Sequence, residues 1–270
     1  MLFRHALHNF SEKSVPFDPA EYSAMKFGND MAAQHMGEKL ADSFFERIQH
    51  TAVPHQQCVL LASPYNVVQN AASIMAHHFM HKMNVHLCTN DMPPLQVSHI
   101  HRTQTYTADY GKMSHEERVR MIGNDQFSVD KDFTRGKTLI IVDDVRITGT
   151  HEHRLEDEFR DHFVENNRWY LYYANCENVN DPSIEATLNF SSIQTIFDLA
   201  RAVKTDKWHV LIRPIKMILS SSEQDLLMAL PMFSAEYLKR VVSCSYAERY
   251  HLNDKFKRSL SVINYYLSIL

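Results

Sequence analysis

The residues best suited to chemistry lie together in TLIIVDDVRITGTH, Thr138 to His151. Four aliphatic residues lead into adjacent carboxylates, Asp143 and Asp144, and a Thr148-Gly149-Thr150 turn follows. At a helix start such a turn gathers backbone N–H groups and hydroxyls around an anion, and the helix dipole favours negative charge there. Carboxylates do not ligate a phosphate, but they suit the hydroxyls of a sugar attached to one. The segment reads as a sugar-phosphate site, against the blander reading of an acidic turn followed by a helix cap.

A site of this kind needs a buried strand before the turn and a helix after it. KTLIIVDD, Lys137 to Asp144, is the strongest strand in the chain, a helix is expected over His151 to Val164, and RWYLYYA, Arg168 to Ala174, is the next strand. Upstream, Asp18 to Gln49 reads as helical, opened by Asp-Pro and divided near Gly28 and Asn29. QCVLLA, Gln57 to Ala62, is a short buried strand running into the SPYN turn, Ser63 to Asn66. A helix over Val67 to His81 and a strand over Asn84 to Cys88 follow. The stretch from Thr89 to Arg135 is polar, with a helical piece near His115 to Ile122, and its length suggests a lid. The β-α-β order on either side of it predicts an α/β fold with a mainly parallel sheet flanked by helices. Beyond Asn178 the spacing turns helical, broken at Pro182, Pro214 and Pro231, with one further strand expected at WHVLI. The expected organisation is an α/β core over residues 1–177 and a mostly helical C-terminal region over 178–270 packed on it.

With 270 residues, 44% of them hydrophobic, the chain can bury a sizeable core. A formal charge of −4 argues against a broad nucleic-acid-binding surface. Cys58, Cys88, Cys176 and Cys244 are too scattered for a zinc or redox pair. His77/His81, His99/His101 and His151/His153 lack a zinc framework. No apolar run reaches bilayer-spanning length, and the first residues lack a secretory core, so a soluble, cytoplasmic protein is expected.

TLIIVDDVRITGTH resembles the 5-phosphoribosyl 1-pyrophosphate (PRPP) motif of type I phosphoribosyltransferases. The resemblance implies that fold, with Asp143 and Asp144 toward the ribose hydroxyls and Thr148, Gly149, Thr150 and His151 around the 5-phosphate. HRTQTYTADYGKMSHEERVRMIGNDQF, with Ser114, Glu117, Arg118, Asn124 and Phe127, is similar to the lid of the ComF-like group, in particular members associated with tellurium-resistance and stress-response clusters. The similarity is best from Tyr22 to Trp169. Arg146 and Ile147 depart from the motif, and Ile147 stands where purine-salvage members carry an acidic residue. His151 replaces a frequent small residue.

The activity implied is transfer of the 5-phosphoribosyl group to an unidentified small-molecule acceptor with release of pyrophosphate. Mg²⁺ is the implied cofactor, met by Asp143 and Asp144 indirectly through ribose or water. Ser63, Tyr65 and Asn66 fall where the family places the pyrophosphate loop, and Arg102, Arg118 and Arg120 could close over the leaving group. No membrane or nucleic-acid partner is expected, and a homodimer is compatible with the sequence. Two other readings stay open: a non-catalytic PRPP or nucleotide sensor, and an unrelated α/β hydrolase or response-regulator-like protein whose Asp-Asp turn binds Mg²⁺ alone.

Overall fold

A computed structural model describes residues 1–102, 127–161, 164–177, 183–205 and 207–270. The expected lid residues Ser114, Glu117, Arg118, Arg120 and Asn124 lie outside the described residues, as does the helix expected at 115–122.

The chain opens with strand β1 (Leu2–Phe10), then helices α1 (Pro19–Lys26) and α2 (Asp30–Ile48). Strand β2 (Cys58–Ala62) leads to α3 (Ala71–Thr89) and β3 (Gln96–Ser98), followed by the short strands β4 (His101–Arg102) and β5 (Phe127–Ser128). After α4 (Lys131–Thr134) come β6 (Thr138–Arg146), α5 (Thr150–Asp161) and β7 (Arg168–Cys176). The C-terminal helices are α6 (Ile184–Asn189), α7 (Ile196–Ala202), α8 (Ile212–Ser220), α9 (Glu223–Ala229), α10 (Ala235–Ala247) and α11 (Asp254–Ser268).

Five strands form one sheet in the order β1-β7-β6-β2-β3, every neighbouring pair parallel. Residues along each strand alternate between two faces. Leu60, Ile140, Val142, Leu171 and Tyr173 share a core with α2 and α3, while Leu61, Leu139, Ile141, Tyr170 and Tyr172 pack with Leu155 and Phe159 of α5. A third apolar cluster joins the C-terminal helices to Phe27 and Val68. The parallel sheet with covered faces and the helical C-terminal region agree with the expectation from sequence.

Three local expectations change. Asn84–Cys88 is the last part of α3, where Phe79, Met83 and Leu87 recur four residues apart on the buried face, so the segment has a helical rather than a strand period. That helix begins at Ala71, where Asn70 caps it by accepting from the Ser73 amide at 2.9 Å. WHVLI forms no strand of the sheet: Trp208 makes a single antiparallel bridge with Asn29 at the α1–α2 junction, His209 N donates to Gly28 O at 2.8 Å, and Ile212 already opens α8. Gly28 has φ +106, and a Cβ there would lie 2.3 Å from His209 O, so the junction needs glycine both for its backbone angle and for this approach.

Helix α3 carries the chain from β2 outward to β3 over one face, and α5 carries it from β6 to β7 the opposite way over the other. The loops after β2 and β6 therefore diverge from adjacent strands. Crevices at such switch points, outside the carboxyl ends of the strands, are where open α/β sheets bind ligands.

Candidate active site

A cleft of about 250 Å³ occupies this switch point. The loops after β2 and β6 bring Ser63, Tyr65, Asn66, Asp143, Asp144, Thr148, Gly149, Thr150 and His151 to its walls.

The loop from β6 to α5 is built around Gly149, whose φ of +74 is the left-handed region that glycine adopts without strain. Thr148 Oγ1 and Thr150 Oγ1 lie 2.7 Å apart, and the first turn of α5 begins at Thr150. The loop rests on Arg146: a Cβ at Gly149 would come within 2.4 Å of its guanidinium. Arg146 is held by Glu152 at 3.2 Å and by Asn175 at 3.3 Å. Glu152, buried, also accepts from Arg4 at 2.6 Å and from the Tyr172 hydroxyl at 2.8 Å. Burial pushes the Glu152 carboxyl up, but the hydrogen bonds from Arg4 and Tyr172 and the charges of Arg4 and Arg146 outweigh it and hold it below its usual range. Arg146, a departure from the expected motif, thus serves the loop from beneath.

Asp143 and Asp144 are consecutive in β6, so their side chains leave opposite faces of the sheet. Asp143 turns to the α5 side, where its Oδ2 is 3.2 Å from His151 Nδ1. Burial raises its pKa, but the hydrogen bond and charge of His151, the charge of Lys26 and the Asp144 amide together lower it. Asp144 turns to the α1 side, where its Oδ2 pairs with Lys26 and its Oδ1 accepts from the Tyr22 hydroxyl at 3.3 Å. Burial and then the Asp144 charge push the Tyr22 hydroxyl well up, which keeps it a proton donor. Each carboxylate therefore lines the cleft with an internal partner already in place.

The loop after β2 is held from both sides. Ser63 N donates to Val142 O at 3.1 Å, and Asn70 Nδ2 donates to the Ser63 and Pro64 carbonyls at 3.3 and 3.2 Å. Glu248, just past the end of α10, accepts from the Val67 and Val68 amides at 2.9 and 2.6 Å and from Asn66 Nδ2 at 3.2 Å. Asn66 is thus engaged with Glu248 at the cleft edge. The Tyr65 ring packs on His99 at 4.2 Å between centroids. Arg102 sits in β4, its backbone paired with Phe127.

Lys26, Glu185, Arg213 and Lys216 also line the cleft, and the sequence reading missed them. They come from α1, α6 and α8 and belong to no local motif. An unexplained cation pair three apart, as in Arg213 and Lys216, was the available signal. Among the described residues no group of three or more His, Cys, Asp or Glu side chains could hold a metal ion. None of the described helices is long and apolar enough to cross a membrane.

The cleft, the acidic strand end and the Thr148–Thr150 loop coincide with a family match. The model of the ComF-like phosphoribosyltransferases matches residues 2–263, and the chain belongs to that family. The match takes in β1 and nearly all of the C-terminal helices, more than the stretch from Tyr22 to Trp169. No curated protein matches the sequence. Among solved structures, the chain is similar to a hypoxanthine phosphoribosyltransferase from Staphylococcus aureus. In its tetragonal form the identity is 9%, 56% of this chain and 76% of that chain are covered, and the TM-score is 0.34. In its orthorhombic form the identity is 8%, the coverage 62% and 80%, and the TM-score 0.30. A structure from a study of an invariant aspartic acid in HPRTs, an alanine mutant, shares 13% identity, covers 56% and 81%, and has a TM-score of 0.32.

Proposed function

We propose that the chain binds PRPP in this cleft and transfers its 5-phosphoribosyl group to a small acceptor, releasing pyrophosphate. The observation that carries the reading is the convergence, at one switch point, of the Thr148–Thr150 loop, the Asp143–Asp144 strand end and the Ser63–Asn66 loop. In this reading the first loop and the start of α5 take the 5-phosphate, the two aspartates take the ribose hydroxyls, and Ser63, Tyr65 and Asn66 face pyrophosphate. The C–O bond to pyrophosphate breaks as the nucleophile's lone pair forms the new bond to the anomeric carbon.

Mg²⁺ would neutralise the leaving group's charge. It commonly binds through one or two carboxylates together with substrate phosphates, and Asp143 and Asp144 fit that indirect role. Asp144 is paired with Lys26 and Asp143 lies against the His151 ring, so filling the site exchanges partners rather than completing a preformed cage. Arg102 and Arg118 remain proposed closers of the lid. A cytoplasmic location, a homodimer and the stress-response association of the resembled group belong to the same proposal.

Calorimetry with PRPP and Mg²⁺ is the direct test, and a folded chain that does not bind refutes the reading. The buried Ile147 brings no carboxylate toward an acceptor, which favours a sensor as the second reading. Isotopically labelled PRPP incubated with protein, Mg²⁺ and cell extract separates the two. Labelled product marks a transferase, and tight binding without product marks a sensor. No appreciable conversion of guanine or hypoxanthine is expected.

A further inference from the structure

The cleft wall supplied by the C-terminal helices is the part that no phosphate or ribose motif accounts for. Its helix α8 buries Ile215, Ile218 and Leu219 in the C-terminal cluster, which fixes the face it turns to the cleft. On that face lie Arg213 and Lys216, three residues apart and so side by side. Arg213 falls in the first turn of the helix, where the macrodipole disfavours cations, and that turn contains no acidic residue. Arg213 packs over Phe190, 5.6 Å from its ring centroid, and Phe190 in turn packs against Phe27 at the end of α1 at 5.8 Å between centroids. It therefore stands toward the α1 side of the cleft. Glu185 is the carboxylate contributed by α6, and Lys26 is paired with Asp144.

We propose that Arg213 and Lys216 recognise the acceptor, and that the acceptor is a small molecule carrying a carboxylate or comparable anionic group. The assignment rests on the phosphoribosyltransferase reading and names its missing substrate class. Arg213 offers a fork that matches a carboxylate, and Lys216 a point charge beside it. Such an acceptor also fits the absence of a carboxylate at Ile147. Its nucleophilic atom contributes the lone pair, and the electron pair of the broken C–O bond leaves with pyrophosphate. A proton on the attacking atom, where there is one, passes to water.

The test is saturation-transfer NMR on the full chain with Mg²⁺, with and without ribose 5-phosphate, using nicotinate against nicotinamide and orotate against uracil. The acids should saturate preferentially, and the preference should vanish in R213Q/K216Q and weaken in K216Q alone, with circular dichroism confirming the fold. Equal saturation of acids and neutral partners, or a preference that survives the double substitution, overturns the proposal. So does a double variant whose PRPP affinity falls about tenfold while ribose 5-phosphate is unaffected, since the two cations would then hold pyrophosphate. Failure of the wild-type chain to bind either sugar phosphate would instead defeat the reading beneath it.

Discussion

Glu152, itself buried, takes hydrogen bonds from Arg4, Arg146 and Tyr172, and Arg146 in turn lies under Gly149. The loop's geometry is thus set by a charge network beneath it, and Arg146, Glu152 and Tyr172 of that network also reach the cleft wall. Changing Glu152 to Gln leaves two guanidinium groups short of their counter-charge. Because Arg4 is half exposed, the loss should be about 2 kcal/mol rather than the larger cost of breaking a fully buried pair, read as a lower thermal midpoint. The fold lowers the Glu152 pKa, so its contribution is fully present above the usual value of 4.5 and is lost as pH falls through the lowered one. Below pH 4.5 the wild type should therefore lose stability more steeply than E152Q, and parallel curves would remove Glu152 from the acid response. Gly149→Ala acts on the loop itself. A left-handed alanine costs about 1 kcal/mol, and its Cβ displaces the Arg146 guanidinium. Calorimetry should show ribose 5-phosphate binding weakened about tenfold, and normal binding would place the phosphate elsewhere.

Between elements, the informative contact is Glu248 at the end of α10. A carboxylate there opposes the helix dipole, and its compensation is the pair of loop amides and the Asn66 amide that it accepts from. Glu248→Ala strips the loop after β2 of those bonds at a cost of about 2 kcal/mol. PRPP affinity should fall while that of ribose 5-phosphate, which lacks the pyrophosphate, stays near wild type. An equal fall for both would show that the variant had damaged the whole cleft. The strands β2, β6 and β7 were legible in the sequence because both of their faces are covered, which writes them as unbroken apolar runs. Strand β1 was not, since LFRHALHNF is an edge strand and carries Arg4, His5, His8 and Asn9 on a half-covered surface. The β6-to-α5 part of the cleft was readable as one contiguous motif. Lys26, Glu185, Arg213, Lys216 and Glu248 were not, because only tertiary packing brings those distant segments to it.

Across the molecule, the cleft lies where the three apolar clusters meet: Ile147 and Leu211 belong to one, Tyr172 to the second, and Ile212 packs on the third. A ligand that fills it should stabilise all three together. The chain's two tryptophans report on different clusters, Trp169 on the sheet side and Trp208 among the C-terminal helices. At a PRPP concentration about 100-fold above its dissociation constant, stability should rise by about 2.7 kcal/mol. For a chain of this size the thermal midpoint should rise by about 5 °C. Single-tryptophan variants W169F and W208F should show the same shift, and a shift seen by Trp169 alone would mean that the C-terminal helices do not share the site. The order in which the cleft's walls occur along the chain has a bearing on synthesis. The loop at residues 147–151, which the proposed reading gives to the 5-phosphate, leaves the ribosome well before Arg213 and Lys216, and Glu248 follows later still. A nascent chain holds the loop without the wall that faces it or the carboxylate that braces its neighbour. If the proposed reading holds, full ligand affinity is acquired only once Glu248 has been made, and a protein truncated before α8 should bind ribose 5-phosphate and PRPP weakly in calorimetry.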